Sequence, residues 1–432
     1  MKPHPFLDRL RAVETAPLYG HVEELGAGLI RASGPAARLG QLCDVALDGG
    51  VTTPAEVVAV GERGITLIPL ALDASPALGA RVTATPYDRG IAVGDGFAGR
   101  AVDALGWPID GAGPIAGGVR HVAEDISALD RVSPSTVMAT GIRAIDGLLT
   151  LGVGQRIGIF SASGVGKTSL VEQLAGQIDC DRCILCLVGE RGREVSGLWD
   201  MAKGAAKPDR FTLVAATSDE SPVMRARAVE QALALAEYWR ARGEHVVLLI
   251  DSVTRLAMAL REIGLAAGAP PTVRAYTPNV FAALPRMVER CGAVRGGGAI
   301  TAIMTVLSET DEVDDPIVEV MKSLLDGHIV LSRLLAEQGH FPAIDIVRSV
   351  SRQAARLVGD DHLAMMRTAT ALLAVYDENR VMIESGVYRA RSNERIDAAI
   401  AARPALAGFL RQRNDEQVGM AAMLAALKTV AT

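Results

Sequence analysis

Two hydrophobic rhythms divide this 432-residue chain. Over residues 20–90, short Val/Ile/Leu segments such as GHVEEL, AEVVAVG, GITLIPL and ARVTATP are interrupted by Gly, Pro or Asp. That spacing predicts a small antiparallel β-domain, a barrel. From about residue 150 the rhythm changes. Apolar runs of five to nine residues (RIGIF, CILCLV, FTLVAAT at 211–217, VVLLI at 246–250, AITAIMTVL, HIVLSR) alternate with helical stretches. This pattern predicts a parallel sheet with crossover helices. Ser221-Pro222 opens one long helix, with Ser as cap and Pro in the first turn. Beyond about 355 the periodicity is helical through HLAMMRTATALLAVYDENRVMIESG and RIDAAIAARPALAGFLRQRNDEQVGMAAMLAALK.

Between the two rhythms, residues 94–118 (GDGFAGRAVDALGWPIDGAGPIAGG) are dense in Gly and hold two Pro, which predicts a connector of turns. Hydrophobic residues make up 49% of the chain, so it is globular rather than disordered. Net charge is −6, so no global basic field favours nucleic acid or anionic lipid. No apolar run approaches the roughly 20 residues of a membrane span. The start, MKPHPFLDRLRAVETAP, carries charge where a leader's apolar core would lie, which predicts a cytoplasmic chain. Cys180, Cys183 and Cys186 have no second Cys pair or paired His nearby and are read as small apolar residues of a buried strand. The acidic run SETDEVDDP (308–316) reads as a solvated loop, and His328 and His340 are assigned no role.

The chemistry begins at IFSASGVGKTSL, residues 159–170. The phosphate-loop pattern asks for Gly, four free positions, then Gly-Lys-Ser/Thr, and here Ser161 holds the first Gly position. A strand precedes the loop and a helix starts within it at about Thr168, as phosphate binding requires. Gly164 and Gly166 let backbone N–H groups converge on an anion. Ser163, Val165 and Ser169 complete the cradle. Lys167 reaches the outer phosphates of ATP, and the Thr168 hydroxyl suits Mg²⁺. Ser161 is tolerated if its backbone keeps negative φ. Asp251 closes the apolar run VVLLID and is a second Mg²⁺ ligand candidate. Glu190, in GERGREV, follows CILCLV at a strand's carboxyl end, where a carboxylate could activate water. By spacing alone it could equally be one of the alternating charges of a solvated loop.

Together these motifs resemble the type III protein secretion ATPase family, which includes injectisome and flagellar export ATPases and is related to the rotary ATP synthase β subunit. The stretches that carry the resemblance are TGIRAIDGLLTLGVGQRIGIF, GERGREV, LLIDSVTRLAMALREIGLAAGAPPTVRAYTPNVFAALPRMVERCG and SLLDGHIVLSRLLAEQGHFPAIDIVRSVSR, within a likeness spanning about 20–432. LGQLCDV (39–45) looks closer to the injectisome branch. The resemblance implies an α/β fold: a RecA-like P-loop core with a parallel sheet (93–355), an N-terminal β-barrel for oligomerisation (1–92) and a C-terminal helical domain (356–432). It implies that Glu190 is the catalytic base, that Arg191 lies near the phosphates, and that Phe341 takes the place of an adenine-stacking Tyr. Arg352 matches an arginine that reaches into the neighbouring subunit's site.

The same resemblance implies a homohexamer using ATP and Mg²⁺ that detaches chaperones and unfolds substrates. Its expected partners are a stator-type regulator, a central stalk protein, the export gate and chaperone–substrate complexes, with peripheral contact at the inner membrane apparatus and no nucleic acid. The alternative is a hexameric nucleic-acid motor of the transcription-termination helicase type, which needs a basic, aromatic binding face. A non-catalytic ring subunit would have lost Glu190 or Lys167. The sequence departs from the family at Ser161-Ala162, and at Ala275 and Arg391, where Gly is frequent.

Overall fold

In–out alternation over much of the N-terminal strands gives them one face to bury. In the computed structural model, which describes residues 19–86, 90–123, 126–308 and 315–431, six strands close into a barrel. They are Tyr19–Gly26, Leu29–Ala32, Leu42–Ala46, Thr52–Gly61, Gly64–Pro69 and Arg81–Ala84, adjacent around the barrel in the order first, second, fifth, fourth, third, sixth. Val22, Ile30, Cys43, Val45, Val57, Leu67 and Val82 fill the interior. Gly64 is required where two strands crowd: at φ +131°, a Cβ there would stand 2.0 Å from the Ala32 carbonyl oxygen. The charged start of the chain lies outside the described residues, as do positions 309–314 of the acidic run.

The chain divides into two compact units, and the barrel belongs to the first, with 219–226 and 258–280. There the Ser221 hydroxyl accepts from Met224 N at 3.3 Å, the cap anticipated for the helix Pro222–Arg240. Arg225 Nη2 donates to Glu262 at 2.7 Å.

The second unit holds the sheet and the C-terminal helices. Its main strands run side by side as Ile344–Ser351, Gly327–Leu331, Arg156–Ser161, Ala299–Leu307, His245–Asp251, Arg182–Glu190, Phe211–Thr217 and Ala101–Val102. All pairs along this path are parallel except the one between Gly327–Leu331 and Ile344–Ser351. The strands are almost continuously apolar because helices cover both faces. Cys183 and Cys186 are buried residues of one of them. The connector of turns also contributes a strand, Ala101–Val102, which pairs with Leu213 and Val214.

Helices Asp360–Glu384, Glu394–Leu410 and Met420–Ala431 pack Met366, Leu373, Leu406, Phe409 and Leu427 into the same core as Ile142, Ile145 and the strands. The last helical stretch is therefore two helices, broken at 411–419. The cause lies in the polar run RQRND: its backbone and side chains find partners outside a helix. Gln412 N donates to Phe341 O at 2.9 Å, and Gln412 Nε2 to Gly141 O at 2.6 Å.

Candidate nucleotide-binding site

The strand Arg156–Ser161 ends in an exposed loop and the helix Lys167–Gln177 begins directly after it. Gly164 and Gly166 hold φ of +81° and +91°, a region where a side chain would strain the backbone. Ser161 does not need that freedom. It is the last strand residue, paired with Leu307, and its carbonyl accepts from Ser308 N at 2.9 Å. Its position is extended backbone, so the absent glycine costs the loop nothing in conformation.

Glu190 and Asp251 sit beside this loop because their strands end at the same edge of the parallel sheet. A bulge helps aim Glu190: Val188 and Glu190 pair with consecutive residues Ala216 and Thr217, and the extra residue, Gly189, takes φ +65°. Both carboxylates are 3% exposed. Lys167 Nζ pairs with Asp251 Oδ1 and stands 3.5 Å from Glu190 Oε1. Thr305 Oγ1 donates to Asp251 Oδ1 at 2.6 Å. Arg255 also grips Glu190, Nε donating to Oε1 at 3.1 Å and Nη2 to Oε2 at 3.3 Å. Burial pushes the Glu190 carboxyl above its ordinary range. Lys167 pulls it down, Asp251 pushes it up and Arg255 pulls it down again. The arrangement can hold polyphosphate and a hard cation, with a buried carboxylate beside them.

Phe341 lies across the loop from these charges. A Cβ added at Gly166 would lie 3.4 Å from Phe341 Cε1, so the ring stands against the loop, and it is 43% exposed. An open cleft of about 560 Å³ lies here, lined among others by Ser169, Gln173, Phe341, Arg411 and Glu416. Its wall is braced, since Arg143 Nη1 donates to Glu416 at 2.6 Å. This wall, contributed by the break after Leu410, was not anticipated from the sequence. Its signal was the polar RQRND run inside an apolar helical period. Arg255 was missed as well; its signal was a second charge four residues after the strand-end Asp, in LIDSVTR.

Two expected site residues lie apart from the cluster. Arg191 caps the helix Gly192–Gly204 through its carbonyl, and its side chain is exposed. Arg352 lies at the opposite edge of the sheet. Ser351 pairs with Gly327, which also pairs with Ile157, and Arg352 N donates to Asp326 O at 3.0 Å. Ser161 is four residues further along the strand, roughly 13 Å at 3.3 Å per residue. Arg352 is exposed, and its Nη2 donates to Lys322 O at 3.1 Å.

Known proteins share this architecture. Residues 141–351 match the model of the ATP synthase alpha/beta family nucleotide-binding domain, and residues 358–429 that of the T3SS EscN ATPase C-terminal domain. The chain is 41% identical to a flagellum-specific ATP synthase of Bacillus subtilis, over 100% of its own length and 99% of the relative's. It is 41% identical to a type 3 secretion system ATPase of Xanthomonas euvesicatoria, over 92% and 90% of the two chains. The solved structure of the assembled ATPase EscN from the enteropathogenic E. coli type III secretion system superposes with a TM-score of 0.90 at 36% identity, covering 96% of this chain and all of the other. Flagellar and injectisome relatives match alike, and the chain belongs to the family of type III export ATPases that both represent.

Proposed function

We propose that this chain hydrolyses ATP to energise type III protein export, in a homohexameric ring whose sites are each completed by a neighbouring copy. The observation that carries the reading is the convergence of Lys167, Glu190 and Asp251 beside a phosphate loop at one sheet edge, with Arg352 at the other. The backbone N–H groups of 163–168 and Lys167 bind the phosphates, aided by the helix N-terminus. Phe341 stacks on adenine, its ring replacing the family's Tyr face without the hydroxyl. Thr168 and Asp251 hold Mg²⁺: a hydroxyl and a buried carboxylate fixed by Thr305 are hard oxygen donors of the kind that ion takes. Bound there, the ion would neutralise charge on the phosphate oxygens.

Glu190 orients the attacking water and takes its proton. Its burial keeps the carboxylate basic, while Lys167 and Arg255 keep it ionised. Arg191, the next residue in the chain, is the one expected near the phosphates. Arg352, too far from its own phosphate loop, serves the site of the next copy. The barrel, as the oligomerisation domain 1–92, and the RecA-like core 93–355 build the ring, and the helical domain 356–432 faces the export machinery. EscN has been solved as an assembled ATPase and in complex with its central stalk EscO. By analogy a stalk protein, a stator-type regulator, the export gate and chaperone–substrate complexes are this chain's partners. Hydrolysis releases the chaperones and unfolds the substrates. The relatives favour this reading over a nucleic-acid motor. Glu190→Gln keeps the shape and removes the base, so turnover should fall by ~10²–10⁴ with nucleotide binding retained. Near-normal hydrolysis in that variant, measured by phosphate release, would refute the assignment.

A further inference from the structure

The five cysteines are not alike. Cys43, Cys186 and Cys291 are buried, and burial pushes each of their thiols up. Cys180 is half-buried and lies outside the strand that holds Cys183 and Cys186. It occupies the short bend between the helix Lys167–Gln177 and the strand Arg182–Glu190. Across this bend the thiols of Cys180 and Cys183 meet, and the Cys183 S–H donates to the Cys180 sulfur. That bond holds Cys180 below its ordinary value. Burial opposes it, Arg210 adds to it, and Asp179 and Asp181 oppose it. The same bond, and then burial, push Cys183 well above the ordinary thiol value. One sulfur is therefore the more readily ionised, and the other keeps its proton.

The surrounding backbone favours the same division. The carbonyls at a helix C-terminus carry partial negative charge, which disfavours a thiolate beside them. Here Arg210 covers them. Its Nη1 donates to Ile178 O at 2.8 Å, and its Nη2 donates to Ala175 O at 2.8 Å and to Gly176 O at 3.0 Å. Its Nε is buried with no partner among the described residues. These bonds go to neutral oxygens, so the positive charge remains available to a thiolate at Cys180. A metal would need more ligands than two thiols. Among the described residues no group of three His, Cys, Asp or Glu side chains could hold one. Two thiols in contact, one of them accessible, are suited to redox chemistry instead.

We propose that Cys180 and Cys183 form a redox modification site: hydrogen peroxide oxidises Cys180, and Cys183 closes the product to a disulfide that a dithiol reopens. The Cys180 thiolate attacks one peroxide oxygen and breaks the O–O bond. The hydroxide that leaves takes up the proton Cys180 gave away and departs as water. Cys180 is now a sulfenic acid. The Cys183 sulfur attacks the Cys180 sulfur, the S–S bond forms and the S–O bond breaks. The Cys183 proton leaves with that hydroxyl as a second water. The two thiols lose two electrons and two protons in all, and the peroxide is reduced to water. Sulfurs already in contact reach a disulfide with little backbone movement. The new bond staples the joint between the helix that begins at Lys167 and the strand that ends at Glu190, at the far end of both elements from those residues.

The test exposes the reduced full chain to hydrogen peroxide, blocks free thiols with N-ethylmaleimide in denaturant, and reads intact mass and peptide maps. The five blocked thiols should fall by the pair to three, with one Cys180–Cys183 disulfide in each chain, and dithiothreitol should restore five. The pair should react at least about tenfold faster than Cys43, Cys186 and Cys291. In Cys183→Ser, Cys180 should stop at a sulfenic acid that dimedone traps. In Cys180→Ser, both the disulfide and the dimedone label should vanish. Five unreacted thiols, a disulfide between chains, or oxidation of all five at similar rates would each overturn the proposal. So would a wild-type Cys180 that passes to sulfinic acid without cross-linking. If a variant fails to fold, the wild-type peptide map decides alone.

Discussion

The two edges of the sheet treat their charges differently. At the carboxyl edge, Lys167, Glu190, Asp251 and Arg255 neutralise one another within a few ångströms and are largely buried. At the amino edge, Arg156 is likewise engaged, with Asp326 at 3.1 Å and Glu289 at 3.0 Å. Arg352, next to it in space, is exposed and donates to a backbone carbonyl. A guanidinium bonded to a neutral oxygen in water keeps most of its charge available. In the proposed function the carboxyl edge binds phosphate and activates water, while the cation proposed for the transition state, Arg352, lies at the far edge.

The largest effect should come from removing that cation. Arg352→Ala should lower kcat by ~10³–10⁵, the range of an arginine supplied across an interface, while nucleotide affinity and thermal stability stay near wild type. A variant that turns over normally would erase the functional distinction between the edges.

A buried ion cluster near the amino edge sharpens the contrast, because its role is structural. Glu237 accepts from Arg290 at 2.7 and 3.0 Å, and His121 Nε2 lies 2.9 Å away. Burial raises the Glu237 carboxyl, but these hydrogen bonds outweigh it and hold it at about 2, against 4.5 unfolded. A depressed carboxyl stabilises the fold above the unfolded value and loses that contribution as pH falls from 4.5 through 2. The shift corresponds to about 3 kcal/mol. Glu237→Gln should lower stability at neutral pH by about 3 kcal/mol, the size of the shift, because Arg290 loses its buried partner and keeps only its pair with the exposed Glu230. It should also flatten the acid dependence in that window, as read by denaturant unfolding against pH. Per-site turnover should change far less than in Arg352→Ala.

The smallest effect concerns glycines the chain lacks. Ala275 and Arg391, where the family resemblance implies a frequent Gly, have φ values of +60° and +70°. The left-handed conformation costs a non-glycine residue about 1–2 kcal/mol, and Gly loses about 0.5–1 of that in chain entropy. Ala275→Gly and Arg391→Gly should therefore each stabilise by up to about 1 kcal/mol in chemical denaturation, with no change in kcat. Unchanged or lowered stability would show that those turns carry no strain.

The same glycines show what could be read from sequence. Ser161 fails the bare phosphate-loop pattern, yet the structure puts that position in extended backbone, whereas Gly164 and Gly166 hold positive φ. A pattern of letters cannot say which glycine is conformational; the strand before the loop can, because it extends to Ser161. Apolar runs marked the strands well, since burial on both faces leaves few polar interruptions. The break at 411–419 was hidden because a helix is interrupted there for long-range reasons, the bonds of Gln412 to Phe341 and Gly141. Arg255 was hidden because its pairing with Glu190 spans 65 positions and depends on strand order. Glu190 was undecided from spacing alone; the family resemblance singled it out as the base, and the sheet brings its strand end beside the loop.

The claim that one site is shared by two chains is tested most directly by mixing two inactive variants, Arg352→Ala and Glu190→Gln, at rising ratios in rings verified as mixed by mass. A site that combines Glu190 from the first variant with Arg352 from the second is complete. The account predicts that ATP hydrolysis reappears on mixing and peaks near equal proportions. Mixed rings that stay as inactive as either parent would contradict it.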